Sequence, residues 1–217
     1  MSDRSSHFLF DGPADARTTI LLAHGAGAPM DSDWMNAVAA ALARENLRVA
    51  RFEFAYMAGR RTGAGRKPPP RAETVMAEYR EAVAALDAGT PLIIGGKSMG
   101  GRVASMVADE LAAAGLAHGL LCLGYPFHPP GKPEKLRTAH LATMTTPALI
   151  CQGARDPFGN ETEAGNFALS PAIELKWLAD GDHDLKPRKA SGLTLDRHIA
   201  EMAKSARALA DRIVERS

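Results

Sequence analysis

The stretch "PLIIGGKSMGGRV" (91–103) decides how the rest of the chain is read. An apolar run, "PLII", gives way to glycines and then to the helix-like "GRVASMVADEL", so a buried strand turns sharply into a helix. Two kinds of site occupy such a turn. A phosphate-binding loop needs G-x-x-x-x-G-K-[ST], in which several backbone N–H groups wrap the phosphates. Counting back from Gly96 puts the first required glycine at Pro91, and residues 92–94 belong to the strand, leaving no length for that loop. The pattern G-x-S-x-G fits instead, as Gly96-Lys97-Ser98-Met99-Gly100. The chain there reverses within a few residues and holds the serine hydroxyl exposed on a strained backbone, while glycines two positions either side relieve the crowding.

A serine hydroxyl is a weak nucleophile until a base takes its proton, and the base must be oriented by a carboxylate. On an open sheet these groups belong in loops beyond the C-terminal ends of later strands, in the order Ser…Asp/Glu…His. After "PALICQG" (147–153) comes "ARDPFG", which places Asp156 just past a strand end. After "AIELKWLA" (172–179) comes "DGDHDLKP", which places His183 in the next such loop. Asp180, Asp182 and Asp184 are rival carboxylates, but neighbours in one loop rarely aim at the inner ring nitrogen of the residue beside them. Asp156 is therefore the orienting acid and His183 the base. An oxyanion needs two donors: the backbone N–H of Met99, at a helix N-terminus, and that of Ala26 in "LLAHGAGAP", with Gly27 as the fallback. Gly25 and Gly27 are small enough to let substrate approach the backbone, and His24 shapes the loop.

Working outward, the strands are "TTILLAHG" (18–25), "LRVARFEFA" (47–55), "PLIIGG" (91–96), "HGLLCLGYP" (118–126), "PALICQG" and "AIELKWLA". Helical patterns lie between them over 33–46, 72–88 and 100–115, and a last one spans 193–217. Alternating strands and helices imply right-handed crossovers and one α/β domain over 1–217, its mainly parallel sheet flanked by helices on both faces. "HFLF" (7–10) adds an edge strand, possible in antiparallel sense. "GRRTGAGRKPPPR" (59–71) is a loop. Its Arg60, Arg61, Arg66, Lys67 and Arg71 could attract an anionic substrate, but a solvated loop is the plainer reading. Trp34 and Trp177 read as packing residues, and Lys97 as structural or solvent-facing.

Composition sets bounds. The chain has 217 residues, enough for one sizeable core, and its net charge of +1 gives no pull toward nucleic acid or membrane. The first residues lack the apolar run of a secretory signal, and no stretch approaches the roughly 18 apolar residues of a membrane span. Cys122 and Cys151 lie inside strands and read as reduced core residues, with a cytoplasmic location as the default.

The motifs "HGAG" (24–27), "GGKSMGGR" (95–102), "GYPFHPPGKP" (124–133), "QGARDPFG" (152–159) and "DGDHDLKP" (180–187) together resemble the α/β-hydrolase superfamily. More narrowly, the chain is similar to the small group related to dienelactone hydrolases and to the testis-expressed protein 30 and KAT8 regulatory complex subunit 3 type. The resemblance runs from about residue 18 to 190. It implies the α/β-hydrolase fold, Ser98 as nucleophile, Asp156 as acid, His183 as base and backbone donors at Ala26 and Met99. The short interval between Tyr125 and Pro147 leaves no room for a lid domain, so an open cleft is expected, rimmed by Tyr125, Phe127 and His128. The expectation is a serine hydrolase without cofactor or metal, acting on a small-molecule ester or thioester through an acyl-enzyme, as a monomer or homodimer. A catalytically idle interaction module and a peptidase or perhydrolase on the same triad are the alternatives.

Overall fold

The computed structural model describes residues 8–61 and 68–216. Its elements are, in chain order, β1 (Leu9–Asp11), β2 (Thr19–Ala23), α1 (Asp33–Arg44), β3 (Arg48–Phe52), α2 (Ala55–Arg61), α3 (Met76–Ala85), β4 (Leu92–Lys97), α4 (Met99–Ala113), β5 (Gly119–Leu123), β6 (Ala148–Gly153), β7 (Ile173–Leu178) and α5 (Leu195–Val214). The seven strands form one sheet in the order β1-β3-β2-β4-β5-β6-β7. Only β1, at the edge, is antiparallel to its neighbour; all other pairs are parallel. β2 and β4 lie side by side, yet the chain leaves β2 toward one edge and β4 toward the other. A crevice must open where the crossovers diverge, beyond the C-terminal ends of these two strands.

The central strands are apolar on both faces because both are covered. Ile20, Leu22, Ile93 and Leu121 pack on α1 and α5, while their neighbours Leu21, Ala23, Ile94 and Leu120 pack on α3 and α4. Each fully buried aliphatic side chain adds about 1.5–3 kcal/mol. Ser32 caps α1 by accepting from the Met35 N–H, and Thr194 caps α5 by accepting from the Arg197 N–H. Tyr79, fully buried on α3, sends its hydroxyl into the sheet, where it accepts from the Gly95 N–H at 2.8 Å and donates to the Gly95 carbonyl at 2.7 Å.

One region departs from the sequence reading. The run 47–55 stops being a strand at Phe52, and the supposed loop from 59 begins inside α2. Side chains intercept the backbone there. The Phe54 N–H donates to His24 Nε2 and the Ala55 N–H to Glu78 Oε2, so neither extends the ladder. Arg61 is not a free charge either, since it bridges Asp31 and Glu53. Arg66 and Lys67 lie outside the described residues. The helical pattern over 72–88 begins as a 3₁₀ turn at Ala72–Val75 before α3. Among the described residues, no helix or strand lies between β5 and β6, and no helix is long and apolar enough to cross a membrane.

Candidate active site

Ser98 joins β4 to α4 with φ 50° and ψ −113°, a conformation that costs a non-glycine residue about 1–3 kcal/mol. The surroundings impose it. The Ser98 N–H donates to the Leu123 carbonyl at 2.9 Å, and the Ser98 carbonyl already accepts the first helical bond, from Arg102. A Cβ at Gly96 would lie 2.5 Å from the Ala23 carbonyl oxygen and 2.8 Å from the Gly100 carbonyl carbon. One at Gly100 would lie 2.6 Å from the His24 carbonyl oxygen. The two glycines thus relieve crowding within the turn and also let it press against the end of β2.

Three side chains from separate loops meet beyond the strand ends. Ser98 Oγ lies 2.8 Å from His183 Nε2, and His183 Nδ1 lies 2.8 Å from Asp156 Oδ2. A carboxylate can only accept, so Nδ1 carries the proton and Nε2 is left to accept from the serine hydroxyl. Asp156 is fully buried and both its oxygens are engaged: Oδ1 accepts from the Phe158 N–H, and Oδ2 from both His183 and Gln152 Nε2. The His183 side chain keeps 21% of its surface, with the Phe158 ring 4.2 Å from its own. The rival carboxylates are engaged elsewhere. Asp180 pairs with Arg155 and Arg188, Asp182 accepts the Asp184 and Lys186 N–H groups, and Asp184 pairs with Lys97.

The loop after β2 is held from below. His24 Nδ1 donates to the Gly25 carbonyl and Nε2 accepts from Phe54, so this ring is neutral; burial holds its pKa below the usual value. The Tyr56 hydroxyl donates to the Ala26 carbonyl at 3.0 Å. The Gly25 and Ala26 carbonyls are thereby occupied. Ala26 and Met99 both border the cleft at Ser98, and Met99 opens α4, where no helix carbonyl can reach its N–H.

Two hollows meet at Ser98. One, of about 370 Å³, is lined by Gly25, Gly27, Trp34, Met35, Lys97 and His183. The other, of about 600 Å³, is lined by Arg71, Glu73, Met99, Arg102, Pro126 and Arg137. Ala26, Ser98 and Phe158 border both.

Tyr125, Phe127 and His128 are not at the rim, contrary to the sequence reading: all three are buried and line neither hollow. Tyr125 donates its hydroxyl to the Arg137 carbonyl, Phe127 stacks on Phe167 with centroids 4.0 Å apart, and His128 lies against Glu163 and the Pro129 carbonyl. Aromatic rings in a long connection gain more from closing over the sheet than from exposure. Only Pro126 of that motif core reaches the cleft. Trp34 is the opposite case, a supposed packing residue that lines the cleft and donates its indole N–H to the Asp184 carbonyl. Lys97 is nearly buried. Its ammonium donates to the His183 carbonyl, pairs with Asp184 and lies over the Trp34 ring, and burial lowers its pKa against the pull of Asp184. Gln152 was missed. The signal was a lone amide at the end of an apolar strand, "PALICQG", where a polar group must have buried partners.

This arrangement of strand order, elbow and converging loops defines an α/β-hydrolase. The family model described as an alpha/beta hydrolase domain matches residues 16–211, and the chain belongs to that family. Among solved structures it is similar to the dienelactone hydrolase from Anabaena variabilis ATCC 29413, with a TM-score of 0.70 and 18% identity, covering 93% of this chain and 89% of that one. The esterase domain of a Rhodothermus marinus protein is similar at a TM-score of 0.65 and 17% identity, over 94% and 91% of the two chains. A lidless α/β serine hydrolase from Xanthomonas campestris is similar at 0.60 and 17%, over 96% and 88%. These likenesses are of fold.

Proposed function

We propose that the protein is a serine hydrolase that cleaves a small carboxylic ester or thioester through an acyl-enzyme. The observation that carries this reading is the continuous relay from Asp156 through His183 to Ser98, both links 2.8 Å long, ending on a strained serine. Ser98 Oγ attacks the carbonyl carbon as its proton passes to His183 Nε2, and Asp156 stabilises the imidazolium that forms. The negative charge that develops on the carbonyl oxygen is received by the Met99 and Ala26 N–H groups; losing one such donor typically costs about 3–4 kcal/mol. The tetrahedral adduct collapses, the carbon–leaving-group bond breaks, and His183 returns its proton to the departing oxygen or sulfur. Water, deprotonated by the same ring, then releases the acid and restores Ser98.

A cytoplasmic location, a monomeric or homodimeric state and kinship with the testis-expressed protein 30 type belong to the same reading. A fluorophosphonate probe followed by peptide mapping tests it. Ser98 is expected to carry the label, and a Ser98→Ala variant none. Wild-type protein that stays unlabelled and turns over no short p-nitrophenyl ester favours a catalytically idle module instead.

A further inference from the structure

The two hollows at Ser98 differ in chemistry, and the mechanism assigns a side to each. His183 borders the hollow that holds Trp34 and Met35 and does not border the one that holds the arginines. The leaving group must receive its proton from His183 Nε2, so it departs on the Trp34 side. The acyl chain, opposite it across the carbonyl carbon, then extends into the hollow lined by Arg71, Arg102 and Arg137.

That second hollow is short of negative charge. Three arginines line it against one acidic residue, Glu73, which pairs with a terminal nitrogen of Arg102 at 2.6 Å. The Arg102 side chain keeps 18% of its surface, and its Nε is buried without a hydrogen-bond partner. Arg102 starts the second turn of α4, its N–H bonded to the Ser98 carbonyl, which fixes it one turn from the nucleophile. The guanidinium of Arg137 makes no hydrogen bond or ion pair among the described residues. Burial, and the charge of Arg102 close by, both work against its protonated form. Two partly buried cations that line one hollow and act on each other's charge are a costly arrangement unless an anion joins them.

Resting on the acyl-enzyme reading above, we propose that Arg102 and Arg137 form an acyl-side anion subsite, so that the substrate is an ester or thioester of an acid bearing a second, remote carboxylate or phosphate. The basic 59–71 segment reaches this hollow only through its last residues, Arg71 among them, whereas its Arg61 is already paired with Asp31 and Glu53.

The test compares kcat/KM for mono-p-nitrophenyl adipate, which carries a free carboxylate on the acyl chain, with that for its neutral methyl-capped ester. A 5-phosphonopentanoate ester separates phosphate from carboxylate. A hexanoate ester of 4-hydroxybenzoate, set against its methyl ester, puts the charge on the leaving group instead. Wild type is expected to favour at least one anionic acyl chain by about tenfold or more, and to show no such gain for charge on the alcohol. Replacing either guanidinium, as Arg102→Gln or Arg137→Gln, should cut the anionic-to-neutral ratio about tenfold, as expected for a lost charge-assisted bond. The wild-type ratio needs no variant to fold. Hydrolysis of the neutral ester with no preference for either acyl anion, or a preference for charge on the alcohol, overturns the subsite and leaves the hydrolase reading intact. Failure to cleave any ester, with Ser98 unlabelled, overturns both.

Discussion

Two histidines flank Ser98, and they have opposite fates. His24 follows β2 and His183 follows β7, each in a loop at the mouth of the crevice. His24 spends both ring nitrogens on backbone, Nδ1 on the Gly25 carbonyl and Nε2 on the Phe54 N–H, and has no exposed surface. His183 spends Nδ1 on a carboxylate and Nε2 on a hydroxyl, with part of its ring open to the cleft. Partners, not position, decide the role. A ring clamped between a carbonyl and an amide has nowhere to pass a proton, whereas one between a carboxylate and a hydroxyl can gain a proton and return it.

The most severe way to break the contrast is to give His183 the wrong partners. His183→Ala is expected to lower kcat about 10⁶-fold, the loss typical of removing the base from such a unit. Asp156→Asn keeps the shape but offers an amide that can donate to Nδ1, favouring the tautomer whose Nε2 cannot accept from Ser98. A fall of about 10⁴-fold is expected. Steady-state kinetics on a short ester measures both, and a His183→Ala variant with near wild-type kcat removes His183 from the mechanism.

Smaller effects come from residues that act through these partners. Gln152 accepts from the Tyr125 N–H and donates to Asp156, so Gln152→Leu loosens Asp156 and orphans buried backbone. It is expected to cost about 3 kcal/mol of stability together with at least tenfold in kcat. Tyr79→Phe provides the control. It strips the Gly95 N–H of its acceptor inside the sheet without touching Asp156, His183 or Ser98, and is expected to cost about 1–3 kcal/mol with kcat/KM unchanged. Equal rate losses in the two variants would mean that Gln152 acts only through the fold. Lys97→Met should separate the quantities the other way. Removing a buried ammonium leaves stability level or higher, while the freed His183 loop loses about tenfold in kcat/KM. Urea melts beside kinetics report both numbers.

The difference between the histidines was partly legible in the chain. "GGKSMGG" and the strand-loop positions of Asp156 and His183 follow from local pattern and from the rule that crossovers deliver loops to one face. Such arguments locate backbone, and the structure brings those three residues together. They do not say which side of a loop faces in. "GYPFHPP" was read as a rim because it is a loop, yet Tyr125 and Phe127 are buried and only Pro126 meets the cleft. Trp34 failed in the opposite sense, because the indole's partner, the Asp184 carbonyl, is 150 residues away. Gln152 and Arg137 went unnoticed for the same reason: their meaning lies in what surrounds them after folding, and periodicity carries none of that.

The gentlest probe of the contrast is acid. Burial lowers the pKa of His24, outweighing the Gly25 carbonyl and Glu53, which raise it. In the unfolded chain the same ring titrates at about 6.5. Above that pH both states are neutral at this residue and its contribution is fully present. As pH falls, the unfolded chain takes up the proton first, so stability drains away down to the folded-state value. His140, also held low by burial, adds a slope of the same sign. His24→Gln offers an amide that can donate to Gly25 and accept from Phe54 without ever titrating. The variant's unfolding free energy should therefore fall less steeply than that of wild type between about pH 7 and about pH 5. Identical slopes would mean that His24 accepts a proton in the folded protein as readily as in the unfolded one. The clamp between two backbone groups would then not be what distinguishes it from His183.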